Sequence, residues 1–413
     1  MNGRQFSVQT ELARGVTIDS RETKPGQVFF ALKGQNTDGH NFVLDALARG
    51  AVAAVVERRQ MKAGEILVSD TLYALGEFAR YYRRQFRAKA IGITGTNGKT
   101  TVKNLVSSIL GSRSNVLCTK RNYNSLIGMP LTIFDLDGEE DYMVLEMGTN
   151  APGEIRRLCD IARPDVGIIT NIGAGHLEGL KSLDGVRREK SALVEALPRE
   201  GLAVVGEGVG EIPGRTLNRF SMDMLENVKL TEYGSYFSYK GRDYVTNLLG
   251  AGNVYNCLAA ICLTTLLGVD YAAQKIALEN VSPEPGRLEP LKIGDLLILN
   301  DTYNANPASM KTAIDFLGNL DRPAVAVLGD MLELGKKSRQ LHEEIGSYVR
   351  GSVGHLLTYG RQSEYYGGRH FTEGNEMLRY LCNNLTGNEV ILFKASRALR
   401  YERFVHGLVR LLR

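Results

Sequence analysis

The chain has 413 residues, too many for one ordinary hydrophobic core, so we expect several domains. Its 50 basic and 46 acidic side chains leave a net charge of +4, which argues against a nucleic-acid-binding protein and favours small-molecule partners. Five scattered cysteines without a Cys-x-x-Cys pair argue against a disulfide framework and a zinc site, and favour reduced thiols in the cytoplasm. Residues 1–15 lack the apolar core of a signal peptide, and the most apolar stretch, 257–269, is too short to cross a bilayer, so we expect no membrane insertion.

The first block of the chain, to about residue 88, contains short strand-like runs at 28–32 and 51–56. Gly34, Asp38 and Gly39 supply turns between them, which predicts a small α/β unit. The charged stretch 81–89 is typical of a helix that connects this unit to the next.

The remaining blocks alternate strands with helices, which predicts mostly parallel sheets covered on both faces. The second block has strands at 90–94, 142–145 and 166–170, and a proline-rich segment at 282–286 ends it as a hinge. Strands at 296–299, 324–328 and 390–393 form the third block. The sequence therefore predicts three α/β domains, 1–88, 89–286 and 287–413.

A glycine-rich turn lies between the first strand and the first helix of the second block. It reads Gly95, Thr96, Asn97, Gly98, Lys99, Thr100, Thr101. Glycines let backbone N–H groups converge on phosphate oxygens, and the helix N-terminus adds its positive dipole end. We expect Lys99 to reach the β- and γ-phosphates of a nucleotide and Thr100 to bind Mg²⁺. Ile93 stands where the strict Walker pattern has glycine, so this is a variant loop, and a turn without a ligand is the alternative.

Polar residues follow the next two strands of this block. Glu146 ends one strand, and His176 comes shortly after the other. In an open α/β sheet, ligands bind beyond the carboxyl ends of the strands, so both residues are candidates for a magnesium site. The alternatives are a surface carboxylate and a structural histidine, and Lys190 by itself is typical of a solvated, charged helix.

The sequence Gly-Thr-Asn-Gly-Lys-Thr at 95–100, together with Asn-Ile-Gly at 171–173 and the following His176, resembles the Mur ligase superfamily, which includes folylpolyglutamate synthase. Members of this family phosphorylate a carboxylate with ATP and then let an amine displace the phosphate. The resemblance implies a three-domain architecture: a small N-terminal α/β domain, a central P-loop ATPase domain with a parallel sheet, and a Rossmann-like C-terminal domain.

The resemblance also assigns roles to residues that spacing alone leaves open. Two Mg²⁺ ions are implied, with Thr100, Glu146, His176 and Lys190 as the metal-site residues, and Lys190 is carbamylated by CO₂ in the family pattern. Asn124 orients the substrate carboxylate, and Arg287 clamps phosphates at the hinge. The implied nucleotide contacts, besides the phosphate loop and Arg287, are Asn253, Asn256, Asp301 and Asn304. Gly252 departs from the family, which usually has His-Asn where this chain has Gly252-Asn253.

Segments outside the central block indicate which ligase reaction to expect. Residues 16–21, 25–34 and 38–40 are similar to the uridine-nucleotide domain of late Mur ligases, which folylpolyglutamate synthases lack. Residues 328–335 with His342, and 394–402 with Ala395 in place of the usual glycine, resemble the members that add D-alanyl-D-alanine. The implied substrates are UDP-N-acetylmuramoyl-tripeptide and D-alanyl-D-alanine, in peptidoglycan precursor synthesis, and we expect a monomer.

The implied substrate-binding residues are Asp19, Ser20, Arg21, Asp38, His40, Asn122, Asn124, Asn306, Asp330, Glu333, Ser396 and Arg397. A surface ion pair between Asp19 and Arg21, and a helix cap at Asp330, are the structural alternatives. Two other functions stay open at this stage. One is a different amino-acid ligase of the superfamily, and the other is an ATP-driven switch that performs no ligation.

Overall fold

The computed structural model describes residues 14–34, 36–59 and 64–412, and it begins with a small parallel sheet. Residues 1–13, on which most of the signal-peptide expectation rests, lie outside the described residues. The first unit contains β1 (Val16–Thr17), β2 (Val28–Phe30), α1 (Val43–Ala48), β3 (Ala53–Val56), β4 (Glu65–Leu67) and α2 (Thr71–Arg83). Its four strands pair in parallel in the order β1-β2-β3-β4. The predicted small α/β unit is confirmed.

The connection between the first and second units is not the helix predicted at 81–89. Asp70 caps the start of α2 by accepting a hydrogen bond from the backbone N–H of Tyr73 at 2.8 Å, and the helix ends at Arg83. Arg83 is buried, and its guanidinium donates to the carbonyl oxygens of Phe86 and Ala88. These bonds hold the chain in a non-helical turn, so the prediction is wrong beyond residue 83.

The second unit is built on a six-stranded sheet that is parallel throughout. Its elements are β5 (Lys89–Thr94), α3 (Lys99–Gly111), β6 (Val116–Cys118), α4 (Gly128–Ile133), β7 (Tyr142–Glu146), α5 (Glu154–Ala162), β8 (Val166–Ile169), α6 (Leu177–Leu180), α7 (Leu183–Glu195), β9 (Leu202–Val205) and β10 (Leu217–Arg219). The strand order is β10-β9-β8-β5-β7-β6. The chain leaves β5 toward one edge and later crosses to the other side at β8, so a switch point lies beyond the carboxyl end of β5.

Both faces of this sheet are covered, as the continuous apolar strands predict. On one face α3 packs against the helix Ala251–Leu266, and buried residues of α4, α5 and α7 cover the other face. The middle residues of β5 and β7 are buried and apolar. Glu146 is the last residue of β7, so it lies at the carboxyl edge of the sheet, as predicted.

A three-stranded antiparallel sheet, absent from the sequence prediction, follows the central sheet. Its strands are β11 (Leu225–Thr231), β12 (Gly234–Tyr239) and β13 (Arg242–Thr246), and the helices α8 (Ala251–Leu266) and α9 (Tyr271–Glu279) come after it. No helix in the described ranges is long and apolar enough to cross a membrane.

The third unit contains β14 (Glu289–Ile293), β15 (Leu296–Asp301), α10 (Pro307–Gly318), β16 (Ala324–Leu328), α11 (Ser338–Arg350), β17 (His355–Tyr359), β18 (Arg369–Phe371), α12 (Gly374–Asn383), β19 (Val390–Lys394) and α13 (Glu402–Leu412). The strand order is β14-β15-β19-β16-β17-β18, and only β14 runs antiparallel to its neighbour. The α/β class and the largely parallel sheets are confirmed. Because Asp301 and Leu328 both pair with Lys394, three strand ends meet at one edge of this sheet.

Candidate active site

The glycine-rich loop connects β5 to α3 at the switch point of the central sheet. Gly95 has φ +149° and Gly98 has φ +81°, both in the region that favours glycine. A Cβ atom at Gly95 would lie 1.8 Å from Oγ1 of Thr170, and one at Gly98 would lie 2.0 Å from Oδ1 of Asn256. Both positions therefore require glycine, for backbone conformation and for space.

Residues after β8 hold this loop in place. The backbone N–H of Asn97 donates to Oδ1 of Asn171 at 3.0 Å, and the hydroxyl of Thr170 donates to the carbonyl oxygen of Asn97 at 2.5 Å. Thr96 exchanges hydrogen bonds with the backbone of Gly173. The loop is thus preorganised by protein contacts alone.

Lys99, the first residue of α3, folds back over the loop. Its ammonium donates to the carbonyl oxygens of Gly95 at 2.9 Å and Thr96 at 3.2 Å. Burial lowers the pKa of Lys99, and the nearby carboxylate of Glu146 opposes that shift. A phosphate in the loop would give this buried cation a charged partner in place of two neutral carbonyls.

A second cluster joins the start of α3 to the end of β7. The hydroxyl of Thr100 donates to Oε2 of Glu146, and Nδ2 of Asn124 donates to Oε1, each at 2.8 Å. Nη2 of Arg287 donates to the Thr100 hydroxyl at 2.9 Å from the hinge after α9. The structure thus brings four of the predicted residues, from four separate segments, into direct contact. The predicted substrate residue Asn122 is exposed, and no hydrogen bond joins it to this cluster in the described part of the chain.

This cluster lines a cleft of about 210 Å³. Its walls include Lys99, Thr100, Asn124, Glu146, His176 and Arg287. Thr100 and Glu146 offer hydroxyl and carboxylate oxygens, the donors that Mg²⁺ prefers. Within 14–34, 36–59 and 64–412, no group of three or more His, Cys, Asp or Glu side chains is arranged to hold a metal ion.

His176 takes part in a contact between the central and C-terminal units. Its Nδ1 lies 2.9 Å from Oε2 of Glu333, and the backbone N–H of Glu178 donates to the carbonyl oxygen of Glu333 at 3.2 Å. The hydrogen bond from His176 lowers the pKa of Glu333, against the effect of partial burial. The predicted substrate residue Glu333 is therefore at the cleft, but paired with the predicted metal residue.

Lys190 is almost fully buried in α7, so the solvated-helix alternative is wrong for this residue. Burial and then the positive charge of Lys99 lower the pKa of Lys190 well below its ordinary value, which favours the neutral amine. The adjacent Glu189 is also buried, and it accepts hydrogen bonds from the backbone of Gly153 at 2.6 Å and Ile155 at 2.7 Å. The sequence analysis did not predict that Glu189 would fix the loop after β7 through these hydrogen bonds.

A larger cleft of about 400 Å³ lies on the other side of the phosphate loop. Its lining includes the predicted nucleotide residues Asn97, Thr101, Asn253, Asn256, Arg287, Asp301 and Asn304, together with Asn306 and Lys394. Asn253 donates to the carbonyl oxygen of Leu249 at 2.9 Å, and Asn256 donates to Asn253 at 3.3 Å. These contacts orient both amides within the first two turns of α8.

The C-terminal wall of the larger cleft is held by a buried ion pair. Nζ of Lys394 lies 2.5 Å from Oδ2 of Asp301 and donates to the carbonyl oxygen of Asn304 at 3.0 Å. The sequence prediction included the aspartate and missed its lysine. Asn306 caps α10 and exchanges hydrogen bonds with the side chain of Asn97, at 2.7 and 3.4 Å. It therefore links the C-terminal unit to the phosphate loop.

Tyr303 stands between the two clefts. The guanidinium of Arg287 lies 3.9 Å from the centre of its ring, and that of Arg397 lies 5.7 Å away. The Arg397 side chain is 62% exposed, so it is available to an incoming ligand. Nothing in the local sequence singled out Tyr303.

The other predicted residues of the C-terminal unit have structural contacts. Asp330 is buried, and its carboxylate accepts hydrogen bonds from the backbone of residues 361–363 at 2.8–3.0 Å. It therefore caps a turn after β17, not the helix that follows it in sequence. The hydroxyl of Ser396 accepts a hydrogen bond from the backbone of Leu332 at 2.8 Å. His342 is buried, and its Nε2 accepts a hydrogen bond from the backbone of Met331 at 3.0 Å.

The predicted residues of the N-terminal unit also pair with one another. Asp19 accepts two hydrogen bonds from the guanidinium of Arg21, which lower the pKa of Asp19 to about 2. Asp38 contacts Nδ1 of His40 at 2.7 Å, while Nε2 of His40 accepts from the backbone of Glu57. Ser20, beside Asp19, is buried. The structure does not bring this group into either cleft.

Family models match the chain in three consecutive segments. The Mur ligase family catalytic domain matches residues 13–83, the Mur ligase middle domain matches 93–264, and the Mur ligase glutamate ligase domain matches 286–397.

Individual relatives match nearly the whole chain. The UDP-N-acetylmuramoyl-tripeptide–D-alanyl-D-alanine ligase of Escherichia coli K12 is 34% identical over 95% of this chain and 93% of its own length, and the Bacillus subtilis enzyme of the same name is 34% identical over 96% and 93%. The crystal structure of MurF from Acinetobacter baumannii superposes with a TM-score of 0.90, at 30% identity, over 96% of this chain and 93% of that one. MurF ligase from Thermotoga maritima in complex with ADP gives 0.88, at 29% identity, over 97% and 98%.

Proposed function

This chain belongs to the Mur ligase family, and on that basis we propose that it is an ATP-dependent ligase that adds D-alanyl-D-alanine to UDP-N-acetylmuramoyl-tripeptide in peptidoglycan precursor synthesis. Full-length similarity to ligases of that name is the observation that carries the proposal. The contact of Thr100, Asn124 and Glu146 beside the phosphate loop supports it, because phosphorylation of a carboxylate needs such a set at the γ-phosphate.

The domain roles follow from the same proposal. Residues 1–88 bind the uridine nucleotide, residues 89–286 bind ATP and perform the phosphorylation, and residues 287–413 bind the dipeptide and close over ATP. Asp19, Ser20 and Arg21 belong to the first role, and Arg397 to the third. We place the enzyme in the cytoplasm, where its nucleotide substrates are made, and expect it to act as a monomer.

In the first step, an oxygen of the tripeptide carboxylate attacks the γ-phosphorus of ATP, and ADP leaves. Lys99 exchanges its carbonyl partners for phosphate oxygens and offsets their charge, while Arg287 clamps the phosphates as the units close. Asn124 orients the carboxylate by donating from an uncharged amide, which does not weaken the nucleophile. Asp301 accepts from the ribose, and Asn253, Asn256 and Asn304 contact the nucleotide around it.

In the second step, the amine of D-alanyl-D-alanine attacks the acyl carbon, and phosphate leaves as the amine loses a proton. The closed cleft excludes water, which would otherwise hydrolyse the acyl phosphate. Glu333, which contacts His176 of the smaller cleft, and Ser396, which accepts from the backbone of Leu332, would contribute to the dipeptide site. Asp330 would act on that site through the turn at 361–363.

Mg²⁺ would be held by Thr100, Glu146 and His176, and when bound it neutralises the charge that gathers around the transferred phosphoryl group. The oxygen donors of Thr100 and Glu146 fit this hard cation. His176 would have to leave Glu333 to act as a ligand, so its metal role is coupled to that contact.

We also propose that Lys190 is carbamylated. A neutral amine is the form that attacks CO₂, and burial together with the charge of Lys99 lowers the pKa of Lys190, which favours that form. Bond formation between this nitrogen and the carbon of CO₂, with loss of one proton, converts the side chain into an anion. The product would offset the charge of Lys99 and support the second Mg²⁺.

The test is phosphate release with ATP, Mg²⁺ and UDP-N-acetylmuramoyl-tripeptide, with and without D-alanyl-D-alanine. We expect release to require both substrates and the pentapeptide product to appear by mass spectrometry. Release with neither substrate would indicate a simple ATPase or switch, and no release with both would indicate another ligase of the family.

A further inference from the structure

A third concave site lies near the amino end of β5, away from the nucleotide clefts at the carboxyl ends of the strands, and its volume is about 580 Å³. Residue 88, at its floor, immediately precedes β5, whereas Gly95 of the phosphate loop immediately follows that strand. Six residues at ~3.3 Å each separate the two sites by about 20 Å. The steps proposed for ligation use none of its residues.

The lining of this cavity is unusually rich in arginine. It contains Arg80, Arg83, Arg84, Arg87, Arg156 and Arg163, with only two aspartates, Asp160 and Asp165. The formal charge of the lining is therefore +4, equal to that of the whole chain. The rest of the molecule is close to balanced, so the positive potential is concentrated here.

The two acidic residues neutralise only part of the cluster. Asp160 already pairs with Arg156 at 3.3 Å, and Asp165 accepts a hydrogen bond from the backbone of Ala90 at 2.8 Å. In the described part of the chain, no carboxylate pairs with the guanidinium of Arg84, Arg87 or Arg163. These three cations face a shared concave space without a protein counter-ion.

Two further arginines give the cavity a built wall. Arg83 is 6% exposed and is tied by its guanidinium to the carbonyl oxygens of Phe86, Ala88 and Ala162, so a positive charge is buried among neutral acceptors. Nε of Arg80 is buried and has no hydrogen-bond partner among the described residues. Nη1 of Arg80 donates to Oε2 of Glu77 at 3.4 Å, so this guanidinium is held in place by a carboxylate that does not line the cavity.

We propose that this cavity is a binding site for an anion that carries phosphate groups. Guanidinium groups bind phosphate oxygens through paired N–H donors, and the volume falls within the range of small-molecule sites. The ligand would contact α2 and the segment after it on one side and α5 on the other, so it would fasten the N-terminal unit to the central one. The phosphate groups have two sources, a free ligand or the head groups of an anionic lipid.

The experiment uses the full chain saturated with ADP, so that the phosphate loop is occupied, and titrates it with inorganic pyrophosphate by calorimetry. Arg84→Ser/Arg87→Ser removes two exposed cations from the cavity. Arg379→Ser/Arg410→Ser, which removes two exposed cations from α12 and α13, is the control for net charge. We expect the wild type and the control to bind pyrophosphate equally and the cavity variant to bind it at least about tenfold more weakly.

A second cavity variant tests the opposite wall if the first one is unstable. Arg163 has φ +52°, which asparagine tolerates, so Arg163→Asn removes the charge with little backbone cost.

Vesicles of phosphatidylglycerol, compared with vesicles of phosphatidylcholine, test by co-sedimentation whether the phosphate group belongs to a lipid. Binding of anionic vesicles alone, lost in the cavity variants, would assign the phosphate to a lipid. Failure of the wild type to bind either probe, or equal binding by the cavity and control variants, would overturn the proposal.

Discussion

Replacing Glu146 by glutamine separates the chemistry of the cleft from its architecture. The side chain keeps its shape, but one of its two oxygens becomes an NH₂ group. The remaining oxygen of the glutamine can accept from Asn124 or from Thr100, but not from both, because the two donors lie on different oxygens of the carboxylate. In the arrangement that keeps the bond from Asn124, the new NH₂ faces Thr100. Arg287 already donates to the Thr100 hydroxyl, whose own hydrogen then loses its acceptor.

The expected cost to stability is modest. Two hydrogen bonds to a carboxylate become one neutral bond and one rearranged contact, a loss of about 1–2 kcal/mol in the free energy of unfolding. The expected cost to catalysis is larger, because the cleft loses its carboxylate for Mg²⁺. We expect turnover to fall about 10³-fold or more, equivalent to about 4 kcal/mol in the activation barrier.

Both quantities are measurable on one protein preparation. Phosphate release with both substrates reports turnover, and denaturant unfolding reports stability. Glu200→Gln, an exposed position of the central unit, is the matched control and should change neither. Near-normal turnover in Glu146→Gln would refute the metal role of Glu146, and equally large losses in both variants would refute the link to the cleft.

Three further predictions concern other parts of the molecule. Burial lowers the pKa of His342 below its ordinary 6.5, so the unfolded chain binds a proton first and the free energy of unfolding should fall as the pH drops below about 6.5. His342→Gln should remove that part of the slope, and an unchanged slope in chemical denaturation would contradict the assignment. Gly98→Ala should lower the free energy of unfolding by about 1–2 kcal/mol and raise the KM for ATP. Adding Asn256→Ala should remove the clash between the new Cβ and the side chain of residue 256, but not the strain of the positive φ at residue 98. Isotopically labelled bicarbonate should give a carbamate signal in the wild type that is absent in Lys190→Ala, and identical spectra would rule out carbamylation at that residue.

The central sheet could be predicted from sequence because its strands are short, continuous apolar runs buried on both faces. β5, β7 and β8 have this pattern, and the phosphate loop and Glu146 follow from where such strands end. The antiparallel sheet β11–β13 was missed because β11 is largely exposed and has no apolar run. The turns around Gly234 and Gly241 were the available signal for this hairpin pair.

Only some residues of the candidate site could be predicted from sequence, because a local pattern does not show which distant residues will be in contact. Residues in one loop, such as Thr96 and Lys99, are given by local pattern. The partners that hold the site lie far away in sequence, as Lys394 does from Asp301, and no local signal identifies them. Glu189 was missed because a buried acid inside a charged helical stretch looks like a solvated one until its backbone partners are known.

The reciprocal amide pair between Asn97 and Asn306 joins positions 209 residues apart. One partner belongs to the phosphate loop and the other begins α10, so nucleotide occupancy and domain docking act on the same two side chains. Linkage then requires reciprocity: any factor by which docking strengthens ATP affinity is the factor by which ATP strengthens docking. An alanine at either position would reduce both effects by the same coupling free energy, which makes this pair a thermodynamic connection between the central and C-terminal units.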